Sequence, residues 1–320
     1  MIMEKIKTIS VLGPTASGKT GLAIELAKRL DGEIVSCDSM QLYKEMSIGT
    51  AKPTGEEQNT VRHHLVDILE PDTEFSAADY SKLAAEAIDD IVYRGKTPIL
   101  CGGTGLYHDC LMTISEFAEN TADEERRTEL YAIAEKNGTE ALHAMLRAID
   151  PEAAENIHPN NVKRVVRAIE IFETTGKRKS EVDREQTSVE TRYDDTAFVI
   201  DFSDRSVLYS RIDRRVDMMI DEGLEEEARQ ILLSGNKISR TALQAIGYKE
   251  FMPYFNGEKT LAEVAEDIKL ATHHYAKRQL IWFRRNPSFI HLIADEDGMY
   301  SGTDKLCGDA MDYLTKRGYK

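Results

Sequence analysis

The run from Ile6 to Leu12 is short and mostly apolar, which predicts a buried strand. Leu22, Leu26 and Leu30 follow at spacing four and predict a helix directly after it. EIVSC, residues 33–37, is a second strand candidate. The next sixteen residues, DSMQLYKEMSIGTAKP, are polar and carry Gly49 and Pro53, so they read as loop with at most a helical turn. HHLVDILEP gives a brief apolar run closed by Pro71. Ser76 is placed to cap a helix whose face holds Tyr80, Leu83, Ala84, Ala87 and Ile91. Strands are again expected at Thr97–Cys101 and Thr196–Phe202, with a last one at Phe289–Ile293. Between and after these, helices are predicted over 205–221, 223–234, 241–252, 260–285 and 303–317.

Strands alternating with helices, with glycine turns at strand ends, predict an α/β fold with a parallel sheet flanked by helices. From 114 to 193 the pattern is helical, charged and broken at Gly138, Pro151, Pro159 and Gly176. That stretch is expected to be an all-helical insertion domain, leaving 1–113 and 194–320 as the core.

Gly13-Pro14-Thr15-Ala16-Ser17-Gly18-Lys19-Thr20 joins the first strand to the first helix and fits G-x-x-x-x-G-K-[ST]. The glycines let the backbone curl so that its N–H groups and the positive helix end meet a phosphate chain. Lys19 adds a point charge, and Thr20 offers a hydroxyl to Mg2+. The core is therefore expected to be P-loop NTPase-like and to bind a diphosphate or triphosphate.

Composition narrows the class. Hydrophobic residues at 41% and charged residues at 30% are ordinary for a globular protein. No apolar run is long enough to span a membrane, and the first ten residues lack the apolar core of a signal peptide. The four cysteines contain no C-x-x-C pair, which argues for reduced thiols and against a structural zinc site. A cytoplasmic protein is expected, and nothing suggests more than a monomer. The net charge of −15 argues against a nucleic-acid partner unless local charge overrules it.

Local charge does overrule it twice. Residues 161–179 hold Lys163, Arg164, Arg167, Lys177, Arg178 and Lys179 against Glu170 and Glu173, a balance of +4. Asn161, Arg164 and Arg167 recur at spacing three and share a helix face. Residues 269–285 hold Lys269, Lys277, Arg278, Arg284 and Arg285 with no acid, a balance of +5, interleaved with Trp282 and Phe283. Val264, Ile268, Ala271 and Tyr275 form the packing stripe of that helix. Two basic faces in an acidic chain point to nucleic acid, against the alternative of solvated surface.

Other candidates sit at strand ends. Asp38 follows the second strand, where an acid can hold magnesium or act as a general base. Gln41 and Tyr43 are candidates for base contacts, with Tyr43 equally a packing residue. Gly102-Gly103-Thr104-Gly105 ends another strand, and its glycines would admit a ligand beside the Thr104 hydroxyl. Arg211, Arg214 and Arg215 can approach the phosphate site from the side opposite the loop, or pair with Asp213 and Asp217. Asp201 has the look of a Walker B acid, but an ordinary strand-end acid is the simpler reading. His63-His64 lacks metal-ligand spacing and reads as a pair of hydrogen-bonding loop histidines.

Taken together, GPTASGKT, DSMQLYKEMSIGTAKP, HHLVD, GGTGLY, NVKRVVRAIE, RIDRRVDMMIDEGL, AIGYKE and YAKRQLIWFRR resemble the bacterial tRNA dimethylallyltransferases, or tRNA isopentenyltransferases, in sequence and order. The cysteine count fits no zinc-finger extension of the eukaryotic kind, so none is expected. The resemblance implies that the loop holds the diphosphate of dimethylallyl diphosphate. The exocyclic amine of the adenosine 3′ of the anticodon then attacks the allylic carbon, and pyrophosphate leaves. Asp38 would take the amine proton. Lys19, the loop N–H groups, Mg2+ and Arg211 or Arg215 would stabilise the leaving charge. By the same resemblance Asp38, Ser39, Met40, Gln41 and Thr104 contact the target base. Asn161, Arg164 and Arg167, with Arg127, would meet the anticodon stem-loop, the insertion clamping its far side. Gly247, Tyr248 and Lys249 of AIGYKE, and Lys277, Arg278, Gln279, Trp282 and Arg284 of the last block, would do the same.

A nucleotide or small-metabolite kinase shares the loop and the sheet, and an adenylate prenyltransferase shares the chemistry. A nucleic-acid-binding ATPase is a third alternative. A kinase should bind ATP under an arginine lid, whereas here arginines pair with aromatics. A prenyltransferase acting on free nucleotide would not need the basic helix at 269–285.

Overall fold

The computed structural model of the chain describes residues 5–113, 124–188 and 191–319. The expected insertion residues 114–123 and 189–190, and the first four residues, lie outside these. Two compact units form, Met1–Met112 with Arg192–Lys320, and Thr113–Thr191.

The first unit is built on a six-stranded sheet of β1 (Ile6–Leu12), β2 (Gly32–Ser36), β3 (His63–His64), β4 (Thr97–Gly102), β5 (Tyr193–Asp201) and β6 (Ile290–Ile293). Their order is β3-β2-β4-β1-β5-β6, and every pair is parallel. Near-continuous apolar runs such as ISVL and FVID suit strands covered on both faces. Neighbours in sequence point to opposite faces, so Ile34 and Ile99 join one core with Leu22 and Leu26. Val35 and Leu100 join another with Tyr80 and Ile88. The two buried hydroxyls of β1, on Thr8 and Ser10, are satisfied by the Asp195 carboxylate of β5 at 2.8 and 2.9 Å.

Helices α1 (Lys19–Arg29), α2 (Gly55–Thr60) and α3 (Ala77–Tyr93) link the first four strands, and α4 (Gly105–Met112) follows β4. The Ser76 hydroxyl does cap α3, and Asp79 completes a capping box. In the second unit, α5 (Glu124–Asn137), α6 (Thr139–Ile149), α7 (Pro151–Asn156), α8 (Val162–Thr175) and α9 (Lys179–Ser188) are described. Leu130, Leu142, Leu146, Val165 and Ile169 form that unit's own core.

After β5 come α10 (Arg205–Asp221) and α11 (Leu224–Leu233). The helix expected over 241–252 does not form as one piece. Gly247 at φ 99° and the extended Ala245 break it into short 3-10 turns at Ala242–Gln244 and Lys249–Phe251, followed by α12 (Met252–Phe255). Apolar periodicity ran across a break that the backbone requires. Helix α13 (Leu261–Phe283) starts at a Thr260 capping box, and α14 (Thr303–Lys316) ends the fold. Between them lies a hairpin absent from the sequence reading, β7 (Asp295–Glu296) and β8 (Met299–Tyr300) around Asp297-Gly298. Both turn residues have positive φ, and Asp-Gly is a strong two-residue turn signal.

Register decides what meets what. Leu12 pairs with Gly102, and Ser36 with Cys101. The glycine loop after β1, Asp38 after β2 and the GGTG turn after β4 therefore emerge side by side at the carboxyl edge.

Candidate active site

The loop Gly13–Thr20 curls as its motif requires. Gly18 adopts φ 96°, and Ala16 also enters the left-handed region at φ 59°. The Lys19 ammonium turns back to donate to the Pro14 carbonyl at 2.6 Å. Burial lowers its pKa to about 8; Cys101 and Asp38 oppose the shift, and Arg215 adds to it. The Ser17 hydroxyl is fully buried with no hydrogen-bond partner among the described residues. A buried orphan donor beside curled N–H groups suits an anion that completes the site.

Asp38 leaves β2 into a tight turn in which its Oδ1 accepts the Met40 N–H at 2.9 Å. The Ser39 N–H donates to the Thr104 hydroxyl at 3.0 Å, which ties the two strand ends together. Thr104 is thus behind Asp38 and Ser39, bracing them. The Gln41 side chain is committed as well. Its Oε1 accepts from Ser36 at 3.1 Å, and its Nε2 donates to the Ala51 carbonyl at 3.1 Å. The glycines of GGTG were expected to admit a ligand; Gly102 does line the cavity, and all three glycines also approach protein closely. A Cβ on Gly102 would overlap the Cys37 backbone, one on Gly103 the Gln279 amide, and one on Gly105 the Trp282 ring.

Lys19, Thr20, Asp38 and Arg215 share the wall of a cavity of about 500 Å³. Ile212, Val216 and Met219 of α10 and Ile268 and Ala271 of α13 give it an apolar side. Of the three arginines in RIDRR, Arg215 lines this cavity, and burial and Arg211 lower its pKa. Arg211 instead donates Nε to the Ala16 carbonyl at 2.8 Å and lies over the Tyr300 ring, 3.7 Å from its centroid. Arg214 is exposed. Tyr275, expected only to pack, lines the cavity, and burial and then the Asp38 carboxylate raise its hydroxyl pKa.

The expected RNA-binding positions divide by burial. Lys277 and Arg278 are exposed on α13, and Arg278 also reaches the cavity. Gln279 is buried. It accepts the Thr15 N–H and donates to the Gly103 carbonyl, each at 2.9 Å, so it is an internal strut rather than surface. Arg284 pairs with Asp201 at 2.9 and 3.0 Å, and that pairing also accounts for Asp201. Trp282 donates to Asp109 at 3.0 Å, with Arg285 over its ring at 4.9 Å. Gly247 and Lys249 line the cavity, but Tyr248 is 1% exposed and belongs to the core, its hydroxyl on Glu227 at 2.7 Å. A burial period could have placed Gln279 and Tyr248 inside only if the segments carrying them had been known to be covered there. In the second unit Asn161 precedes α8 and Arg164 is exposed. Arg127 and Arg167 lie 2.6 and 3.6 Å from Glu170.

Glu227 carries no motif signal among the glutamates of α11, yet its carboxylate accepts the N–H groups of Ser47, Ile48 and Gly49 at 2.8–2.9 Å. It holds the loop whose Gly49, Thr50 and Ala51 form part of the cavity wall. His63 and His64 do hydrogen-bond, to the Val61 carbonyl and to Glu33, but from a short edge strand.

The IPP transferase family model matches residues 41–286 of this chain. A tRNA dimethylallyltransferase of Acetivibrio thermocellus is 45% identical over 308 residues, covering 96% of this chain and 97% of the relative. The one from Bacillus pumilus is 48% identical over 284 residues, 88% of each. In three dimensions the chain resembles the full-length tRNA isopentenylpyrophosphate transferase of Bacillus halodurans at 41% identity and a TM-score of 0.71, covering 98% and 96% of the two chains. It also resembles a eukaryotic dimethylallyltransferase acting on tRNA, at 29% identity and a TM-score of 0.82, covering 98% and 81%. With a phosphate loop, a strand-end acid and an arginine on one partly apolar cavity, and relatives matched along nearly the whole length, the chain belongs to the IPP transferase family.

Proposed function

We infer that this chain is a tRNA dimethylallyltransferase. It transfers the dimethylallyl group of dimethylallyl diphosphate to the exocyclic amine of the adenosine adjacent to the 3′ side of the anticodon. The observation that carries this reading is a single cavity with two chemistries. Its phosphate end has Lys19, Thr20 and Arg215, and its walls include an acid, Asp38, and the aliphatic faces of α10 and α13.

The diphosphate sits against the loop N–H groups and Lys19, and its prenyl tail against Ile212, Val216 and Ile268. The target adenine leaves its stack to enter, at a cost of a few kcal/mol. The C–N bond forms as the allylic C–O bond breaks. The leaving pyrophosphate takes the electron pair, and Asp38 takes the amine proton. Lys19 and Arg215 stabilise the charge that develops on the leaving group. The apolar side formed by Ile212, Val216, Met219 and Ile268 keeps water from an allylic cation.

The site suits a magnesium ion. Thr20 and Asp38 offer hard oxygen atoms on one wall, and no cluster of three His, Cys, Asp or Glu exists among the described residues to favour a dedicated protein cage. Thr20 would hold the ion, and diphosphate and water would complete its shell. Bound there, Mg2+ neutralises part of the diphosphate charge. Arg164, Arg167, Lys277, Arg278 and Lys249 supply phosphate contacts to the anticodon stem-loop, and Met40 faces the target base. A tRNA substrate puts the working enzyme in the cytoplasm, where one chain carries the whole site.

The test is one incubation of the protein with Mg2+ and labelled dimethylallyl diphosphate, with tRNA or AMP as acceptor. Label should enter tRNA at the adenosine after the anticodon. Label in AMP alone, or tight ATP binding that dimethylallyl diphosphate does not displace, would sink this reading.

A further inference from the structure

The hairpin β7–β8 has no part in the chemistry above, yet it ends against the phosphate loop. Its first strand is pinned by Asp295, 8% exposed, whose two carboxylate oxygens accept the N–H groups of Ser203 and Asp204 at 2.6 and 2.8 Å. Those residues lead into α10, the helix that carries Arg211 and Arg215. The Asp297-Gly298 turn then sends the chain back so that Tyr300 pairs with Asp295. The ring of Tyr300 lies under the Arg211 guanidinium, and its hydroxyl fills the space a Cβ at Gly18 would need. Arg211 meanwhile holds the Ala16 carbonyl at the strained corner of the loop. Hairpin, helix and phosphate loop thus close a ring of contacts in which Tyr300 touches both other members.

On the reading that this loop binds the prenyl donor's diphosphate, we propose that Tyr300 is a positioning residue for that site. Stacked on Arg211 and wedged against Gly18, it keeps the loop N–H groups in the curl that receives the diphosphate. The ring's stacking under Arg211 carries the effect, and the hydroxyl adds only van der Waals contact with Gly18. The Tyr300 hydroxyl is buried with no hydrogen-bond partner among the described residues, so removing it costs no bond and can stabilise.

Tyr300→Leu and Tyr300→Phe in the full chain test this. Calorimetry with inorganic pyrophosphate and with dimethylallyl diphosphate should show about tenfold weaker binding for Tyr300→Leu, the size of a lost partly buried cation–π contact. KM for the donor should rise while Kd for tRNA stays within about twofold of wild type. Tyr300→Phe should keep wild-type donor affinity with an equal or higher Tm. Equal pyrophosphate affinity in Tyr300→Leu, or an equal loss in Tyr300→Phe, overturns the proposal. If Tyr300→Leu does not fold, Arg211→Lys decides: it removes the planar partner without touching the hairpin, and normal pyrophosphate binding in it is a refutation. A wild-type protein that neither binds pyrophosphate nor transfers label would refute the prenyltransferase reading instead, which separates the two failures.

Discussion

Asp38 and Lys19 lie on one wall, and the proposed mechanism gives them opposite work, one taking a proton and one holding a negative charge. Asp38→Ala should slow single-turnover transfer by about 10²–10⁴-fold, the range for a lost general base, with tRNA affinity little changed. A chemical step within about threefold of wild type would remove Asp38 from that role. Lys19 carries a pH signature. Its pKa falls from 10.5 to about 8 on folding, so between these values the unfolded chain keeps a proton that the native state has lost. This group therefore makes the unliganded protein more stable as pH rises from about 8 to 10.5, and its penalty is full below about 8. A bound diphosphate reverses the burial cost and draws the proton back. Binding of dimethylallyl diphosphate at pH 8.5 should take up a fraction of a proton, measured by calorimetry in buffers of unequal ionisation enthalpy. Lys19→Ala should abolish that uptake and weaken binding by about 10–100-fold, the worth of a charge-assisted hydrogen bond.

At the scale of elements, the basic helix α13 is also a wall of the cavity. Lys277 is exposed, Arg278 is exposed yet also reaches the cavity, Gln279 turns in and Tyr275 lines the cavity. The basic count of this helix was legible in the chain, but which of its residues face solvent was not, because that depends on the strand ends that cover it. Gln279 makes the point: the side chain resembles an RNA contact until its two backbone partners are seen. Gln279→Leu leaves the Thr15 N–H and the Gly103 carbonyl unpaired in the interior. It should cost about 1–3 kcal/mol in chemical denaturation, with donor affinity falling alongside because Thr15 belongs to the phosphate loop. No change in either measurement would show that the strut is dispensable.

At the scale of the whole molecule, a net charge of −15 must be overcome locally before RNA can dock. Affinity for tRNA should fall steeply with salt in the wild type. Arg164→Ala and Arg278→Ala should each flatten the log–log slope by somewhat under one unit, and together they should abolish detectable binding at physiological salt. Salt-independent binding, or an unchanged slope in the double variant, would make these faces ordinary surface. Arg284 is expected to contribute less, since Asp201 already holds its charge.

The chain by itself determined the features written in contiguous residues. Gly13–Thr20 reads as a phosphate loop because glycine spacing, lysine and threonine occur within eight consecutive residues. Five strands of the six-stranded sheet follow from short apolar runs, His63–His64 being the exception, and α3 and α13 begin at local caps. Tertiary structure alone decided what arises between distant segments. Parallel pairing set Asp38, the phosphate loop and GGTG at one edge. It consumed the GGTG glycines in packing against Cys37, Gln279 and Trp282, and chose Arg215 over Arg211 for the cavity. It also gave Glu227 and Tyr300 their positions, for which no pattern of neighbours could be read. Burial and hydrogen-bond partnership belong to pairs of residues far apart in sequence, and a pair exists only after the chain has closed on itself.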